Sequence, residues 1–598
     1  MAAITSAAAG LWSATGTWTG GTVPGNGDTV TLNHTVTVDD ARIVGTSPAT
    51  GGADALTIGT AGKLILASGG TLQCRGPVQI NNTSSFALRT PVEVQAGGTF
   101  EFDASQATDP TNQTYVCDFG NNHFGYLRLL ATGTAGSHAV IRSNSGGGNG
   151  YFSANGMLDT LYINATYCDF TRIGDATNAF ANPSLRNNSE AENRLLNCIL
   201  DACGQLTLGV VAEAANLEWA NSTWKNTVAT YCIAGTAGQG AKAGGATRSL
   251  KGCVFDKRVN TYAFRDMTIG GSTTADECIF DGGLESAATS AWASMDGVFI
   301  REPTGQLVVA PSQGAGLSNA YLLNDYGGID PHFIGPLVNS GTASATFDTH
   351  VWETSGSNGG AGNGFLTVSP SAAWTLTLRR ILVLPDDGGN ASSNLVHHYS
   401  TTTNCTVDVQ FCTAHAQGDG GGINATSNSA RFSAIKNNLF WDTSARDYVL
   451  TTTGTADAGD TITGGGANVN YNASYNVLAG SEGKGYNIAG FTVAPGANDV
   501  TATDPQFVDS TRKLSVWDTS LGGAGTRANA RTELKKRNES GYNTAYTVAA
   551  LLAYVRAGFA PRAAALKGAA SDGTDIGAVA VQSGRPSRRW PRLDRPRR

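Results

Sequence analysis

Three aspartates of this chain recur in one phrase. Asp201, Asp256 and Asp281 each follow a bulky apolar residue, in "NCILD", "GCVFD" and "ECIFD". Paired carboxylates are how most glycosidases donate and accept protons, at a separation of about 5–9.5 Å. If the phrases lie on neighbouring strands, Asp256 and Asp281 project outward about 5 Å apart, one strand spacing. A charge at this place has a simpler use as well, because any solvated strand end carries one. A second group, "NDYGGIDPHF", puts Asp325, Asp330 and His332 in a loop-like stretch. Loops carry function, and Asp is also a common turn former.

A third group joins Asp386 and Asp387 to His397, His398, His415 and Asp419. It has metal-ligand residue types without a metal-ligand spacing, and adjacent histidines on a strand face opposite ways. No metal and no cofactor is expected. The phosphate-binding G-x-x-x-x-G-K-[ST], the zinc-binding H-E-x-x-H and the calcium-binding G-G-x-G-x-D repeat are missing. Tryptophans offer another chemistry, since an exposed indole face stacks on a sugar ring. Trp219, Trp292 and Trp441 are the ligand-binding candidates, with burial in the core or between subunits as their competing use.

What must position these residues is a repeat. The bulky members Phe170, Leu200, Trp224, Phe255 and Phe280 stand 30, 24, 31 and 25 residues apart, and Phe411 and Phe440 stand 29 apart. Each phrase alternates like a strand and is bounded by Gly, Asn, Asp or Thr. Strands at coil-length intervals with few helical signals between them predict an all-β fold, a right-handed parallel β-helix. The same position of successive coils then stacks on itself. Cys168, Cys198, Cys253 and Cys278, with Ser222 once, fall in one inward slot where only a small side chain fits. Asparagines in "NNLF" and "NYNASYN" are placed to form amide ladders. Earlier, Leu56/Ile58, Leu64/Leu66, Leu72/Cys74 and Val78/Ile80 read as inward pairs.

The predicted organisation is an N-terminal cap with first strands (1–50), the β-helix (51–510), a C-terminal cap with two short helices (511–582) and a basic tail (583–598). Trp12 and Trp18 are expected over the first coil. "ANARTELKKRN" and "TVAALLAYVRAGFAP" read as the helices over the last one, with Thr547 as N-cap and Gly558 and Pro561 as the stop.

Composition limits the partners. Net charge is −7, and the last fourteen residues hold seven Arg and one Asp, so the body is more acidic still. An acidic body argues against nucleic acid, which needs Lys and Arg on the contact surface. The longest clean apolar run, "VAALLAYV", is far short of the roughly twenty residues that cross a bilayer, so membrane insertion is not expected. The ten cysteines include no C-x-x-C pair and read as small buried hydrophobes. The first residues show no basic region followed by an apolar core, so no secretory signal is read there.

The opening W-x5-W-x5-P-x2-G-D-x-V pattern (Trp12, Trp18, Pro24, Gly27, Asp28, Val30) resembles the start of bacterial and phage right-handed β-helix proteins and of G8-type domains. "DPQFVD" and "DGTDIGAV" are similar to phrases near the end of β-helix repeat proteins. The whole most resembles phage virion proteins of the tail-spike or fibre kind. That resemblance implies a homotrimer located in the virion, contact with other virion proteins, and attachment to host surface polysaccharide. Depolymerase activity and a bacterial adhesin role are the alternatives. The pectin-cleaving families would show N-T-D, D-D, H-G and R-I-K in order, and this chain offers only its Asp-Asp pairs.

Overall fold

The computed structural model describes residues 2–46, 54–81, 89–103, 115–118, 126–144, 150–153, 160–174, 181–182, 192–204, 206–208, 216–228, 232–235, 248–256, 264–266, 273–282, 284–286, 292–302, 316–324, 332–334, 343–354, 364–368, 374–384, 394–398, 405–415, 422–425, 431–441, 450–452, 469–475, 486–488, 491–493, 497–538 and 544–579. They are nearly all β, with parallel strands stacked as a solenoid and three short helices near the C-terminus. The basic tail lies outside them. The chain divides into two compact units, Met1–Leu337 with Asp518–Leu551, and Val338–Trp517 with Leu552–Arg598.

In the first unit each coil contributes strands to three faces. One column of parallel strands runs from Gly10–Leu11 to Gly316–Ser318. A second runs from Ala41–Val44 to Tyr321–Asn324. The third face begins at Ala3–Thr5. The alternation of the sequence makes this possible. Leu56, Ile58, Leu64, Leu66, Leu72, Cys74 and Val78 are fully buried, and Ile80 nearly so, while their neighbours point out. Each strand is too short to be stable alone and gains its ladder from the coils on either side.

The predicted spine is in register. Phe170 pairs with Leu200, Leu200 with Trp224, Trp224 with Phe255 and Phe255 with Phe280. The rings stack in turn, Trp224 on Phe255 at 4.7 Å and Phe255 on Phe280 at 5.1 Å with 9° between planes.

The small slot beside the spine has a reason beyond volume. Just before it the chain turns through a left-handed residue, which is Tyr167, Asn197, Asn221, Gly252 or Glu277 in successive coils. From this place the slot side chain reaches a carbonyl of the preceding coil. Cys198 Sγ reaches Ala165 O at 3.5 Å, Ser222 Oγ reaches Leu195 O at 2.9 Å, Cys253 Sγ reaches Trp219 O at 3.3 Å, and Cys278 Sγ reaches Leu250 O at 3.4 Å. These carbonyls already belong to the strand ladder, and thiol and hydroxyl are the small side chains that can add a second donor. The eight cysteines whose side chains are described are all free and buried. Burial pushes the Cys198 thiol up to about 12, so it stays protonated and able to donate.

The second unit repeats the plan. Its first face runs from Ala343–Asp348 to Val469–Asn470 and its second from Val351–Thr354 to Val500–Thr501, all parallel. Here the slot holds His350, Ile381 and Cys412, and then asparagine in the last coils. Asn438 Nδ2 donates to Val409 O at 3.0 Å and Asn472 Nδ2 to Ile435 O at 2.8 Å. Their carbonyls run up the column, as Asn438 Oδ1 accepts from Cys412 N and Asn472 Oδ1 from Asn438 N. The predicted amide ladder is present. Phe411, however, is not a spine residue. The partner of Phe440 is Ala414, and Phe411 occupies the left-handed corner with φ 56°. Spacing alone placed it three positions from its true role.

At the N-terminus Trp12 and Trp18 are buried edge to face at 4.8 Å, and Trp18 Nε1 donates to Trp12 O. The helices Arg527–Lys535 and Val548–Gly558 form where predicted, with Thr526 and Thr547 as side-chain N-caps. Leu514–Ser520 adds a third that the sequence reading missed. The expected place over the last coil is not where Arg527–Lys535 lies. It packs in the first unit, against coils that precede it by some 250 residues. The end of the second unit is closed instead by the loop around 560–578, whose Leu566 and Ile576 join Leu439 and Ala473 in one cluster.

Phe255→Ala is expected to cost about 3–5 kcal/mol in chemical denaturation, because it opens a cavity between two stacked rings. The exposed Lys251→Ala in the same coil is expected to stay within about 0.5 kcal/mol. Equal losses from the two would contradict the spine.

Candidate functional site

Asp256 and Asp281 are brought together as the repeat predicts, in register on adjacent strands of the second face. They do not face solvent. Both are more than nine-tenths buried, beneath the helix Arg527–Lys535. Lys535 Nζ sits between them, 3.0 Å from Asp256 Oδ1 and 2.6 Å from Asp281 Oδ2. Arg531 and Arg301 add contacts of 3.3 and 3.4 Å to Asp281 Oδ1. Burial alone would raise the Asp281 pKa. Lys535, Arg531 and Arg301 together outweigh it and hold the carboxyl below its ordinary range. A general acid needs the opposite shift. In this arrangement the pair anchors the C-terminal segment, and neighbouring groups extend the anchor. Asn538 Nδ2 donates to Gly252 O at 2.9 Å, and Glu277 Oε2 accepts from Val548 N at 3.2 Å where the last helix begins. Asp201 is spanned more loosely, by Asn226 at 2.8 Å and Lys225 at 3.7 Å.

Asp325 and Asp330 lie outside the described residues, as do Asp386, Asp387 and Asp419. His332, His397 and His398 are on described strands whose side chains are not. Among the described residues no group of three or more His, Cys, Asp or Glu is placed to hold a metal ion. No described helix is long and apolar enough to cross a membrane.

The tryptophans divide. Trp219 is buried and lies 5.1 Å from Trp224, so its ring belongs to the core. Trp292 is on the strand Trp292–Asp296, its side chain undescribed. Trp441 is half-buried, 3.8 Å from the buried His415 ring and edge-on to Phe507 at 5.0 Å. Phe507 belongs to "DPQFVD", so that phrase closes an aromatic cluster over the last coils of the second unit.

Two cavities open on the described surface. In the first unit one of about 360 Å³ is lined by Thr35, the turn Gly59–Lys63, Ile80, Asn81, Thr90 and Pro91. Its lysine is already paired, Lys63 with Glu93 at 2.6 Å. In the second unit a cavity of about 250 Å³ is lined by Arg379, Arg380, Phe411, Asp572, Thr574, Gly577 and Ala578. Nothing in the sequence joins these residues, since the loop of "DGTDIGAV" reaches the coil corners across more than 150 positions. The adjacent arginines were the one visible signal.

No family model matches the chain, and no curated protein or solved structure matches it.

Lys535→Met is expected to cost about 3–5 kcal/mol at pH 7, because it strands two buried carboxylates. The sign with pH follows from Asp281. Its folded pKa is depressed, so its contribution is present above the unfolded value near 3.8 and is lost as pH falls through the folded value. Urea denaturation of both proteins is therefore expected to show a gap at pH 7 that narrows below about pH 4. A gap unchanged at low pH would mean that Lys535 acts through packing.

Proposed function

We propose that this chain is a structural component of a bacteriophage virion, tail-spike- or fibre-like, which contacts the host cell surface. The observation that carries the reading is the use to which the most chemically suggestive residues are put. The in-register carboxylates hold the protein's own C-terminal segment in place, and the buried tryptophans fill the core. A parallel solenoid closed by its own tryptophans at the start and its own loop at the end suits a mechanical and display role. The fold is equally compatible with a depolymerase or a surface adhesin, and the reading adopted here rests on the resemblance of both termini to phage β-helix proteins.

Homotrimer formation, contact with other virion proteins and binding of surface polysaccharide belong to the same proposal. Light scattering of the purified chain is expected to give three times the chain mass, and a monomer would count against the trimer. Antibody to the chain is expected to decorate the tails of intact particles, whereas label confined to bacterial envelopes would favour the adhesin. Incubation with bacterial surface polysaccharide is expected to give retention without cleavage. New reducing ends or unsaturated sugars would favour the depolymerase.

A further inference from the structure

The cavity of the second unit is built from two coil corners and the C-terminal loop. Arg380 and Phe411 are both left-handed corner residues, at φ 54° and 56°, and side chains in that conformation project away from the coil. Phe411 is half-buried, packed against the cluster of Leu439, Leu566 and Ile576, and also lines the cavity. Opposite it, Asp572 Oδ1 accepts from Thr574 N at 3.0 Å and Thr574 Oγ1 at 2.6 Å, which fixes the loop.

The cations here are not equally committed. Arg380 is tied to the Asp348 carboxylate through both Nε and Nη2. Arg379 is exposed and makes no ion pair among the described residues. Arg556 approaches from beneath and spends its guanidinium on backbone, donating to Arg380 O at 3.0 Å and to Ala578 O. Of the two guanidinium groups lining the cavity, Arg379 is therefore the one without an ion pair among the described residues, and its charge acts on the half-buried Asp408, whose carboxyl it pulls down against burial. An exposed planar guanidinium without an ion pair, beside an aromatic ring and a loop hydroxyl, is matched by a carboxylate carried on a ring-shaped polar body.

We propose that this cavity is a binding subsite for an acidic sugar, a pyranose bearing a carboxylate. Its volume admits one such ring. Arg379 takes the carboxylate, the Phe411 ring faces the sugar, and Thr574 and the free oxygen of Asp572 meet its hydroxyls. The inference rests on the host-surface reading only for the source of the sugar, an acidic surface polysaccharide.

The test is calorimetric titration of the full chain with the methyl glycosides of glucuronic and galacturonic acid, with methyl glucoside and with acetate. At least one uronide is expected to bind tenfold or more tighter than both methyl glucoside and acetate. Arg379→Gln is expected to weaken that uronide about tenfold, with unchanged thermal stability, because Arg379 is exposed. Phe411→Asn, which suits the left-handed corner, is expected to weaken it as well. Failure of both uronides to bind would overturn the proposal. So would acetate binding as tightly as the uronide, which would leave a small-anion site, or affinity indifferent to Arg379→Gln. Retention of acidic polysaccharide by the Arg379→Gln chain would remove this subsite and leave the host-contact reading standing. Loss of retention by the unaltered chain would remove that reading, whatever the titration gives.

Discussion

The register of the coils rests on one recurring backbone feature, the corner between the first and second faces. From Tyr167 on, the chain turns there through a single left-handed residue and the next side chain goes inward. In several coils that side chain donates a hydrogen bond to a carbonyl of the coil before. Cys198, Ser222, Cys253 and Cys278 do so in the first unit, and Asn438 and Asn472 in the second. Each such neutral hydrogen bond contributes about 1 kcal/mol. Val298, Ala320 and Ile381 hold the slot without one, so the strand ladder and the packing of inward side chains set the register. With register fixed, Trp224, Phe255 and Phe280 stack face on face, and their apolar area does the rest.

The same register explains the charged residues. In-register positions on parallel strands lie close enough for like charges to repel, so outward carboxylates need cations between them. Where Gln73, Glu101 and Arg142 pair up the second face, the cation comes from a neighbouring coil. Where Asp256 and Asp281 fall together, Arg301 of the next coil does not suffice, and Lys535 and Arg531 come from the C-terminal helix. What looks in the sequence like a catalytic pair is therefore also a docking address, because two buried carboxylates have no comparably good state without that helix.

The coils were legible because their period lies in side-chain type. Leu200, Phe255 and Phe280 announce an inward position wherever they stand, and the cysteines mark the slot beside them. Phe411 shows the limit of that reasoning. An aromatic at the right interval reads as spine, while the spine position is held by the inconspicuous Ala414. Identity signals burial, but not which side of a corner a residue occupies. The C-terminal helices were legible as helices through Thr547 and Gly558, whereas their docking partners were not. Lys535 and Asp281 are joined by no periodicity, and neither are Arg380 and Asp572. Such contacts depend on where the chain returns after its last coil, which local pattern does not encode.

The central claim is that residues one coil apart lie side by side. Lys251 and Asp276 are exposed, in register and on adjacent coils. Replacing both with cysteine, and Cys117 and Cys405 with serine, and attaching nitroxide labels makes their separation readable by continuous-wave electron paramagnetic resonance, since the other eight native thiols are buried and stay unlabelled. The account predicts a spectrum strongly broadened by spin–spin interaction, relative to the sum of the two singly labelled proteins. A spectrum equal to that sum would place the two residues far apart and contradict the stacked coils.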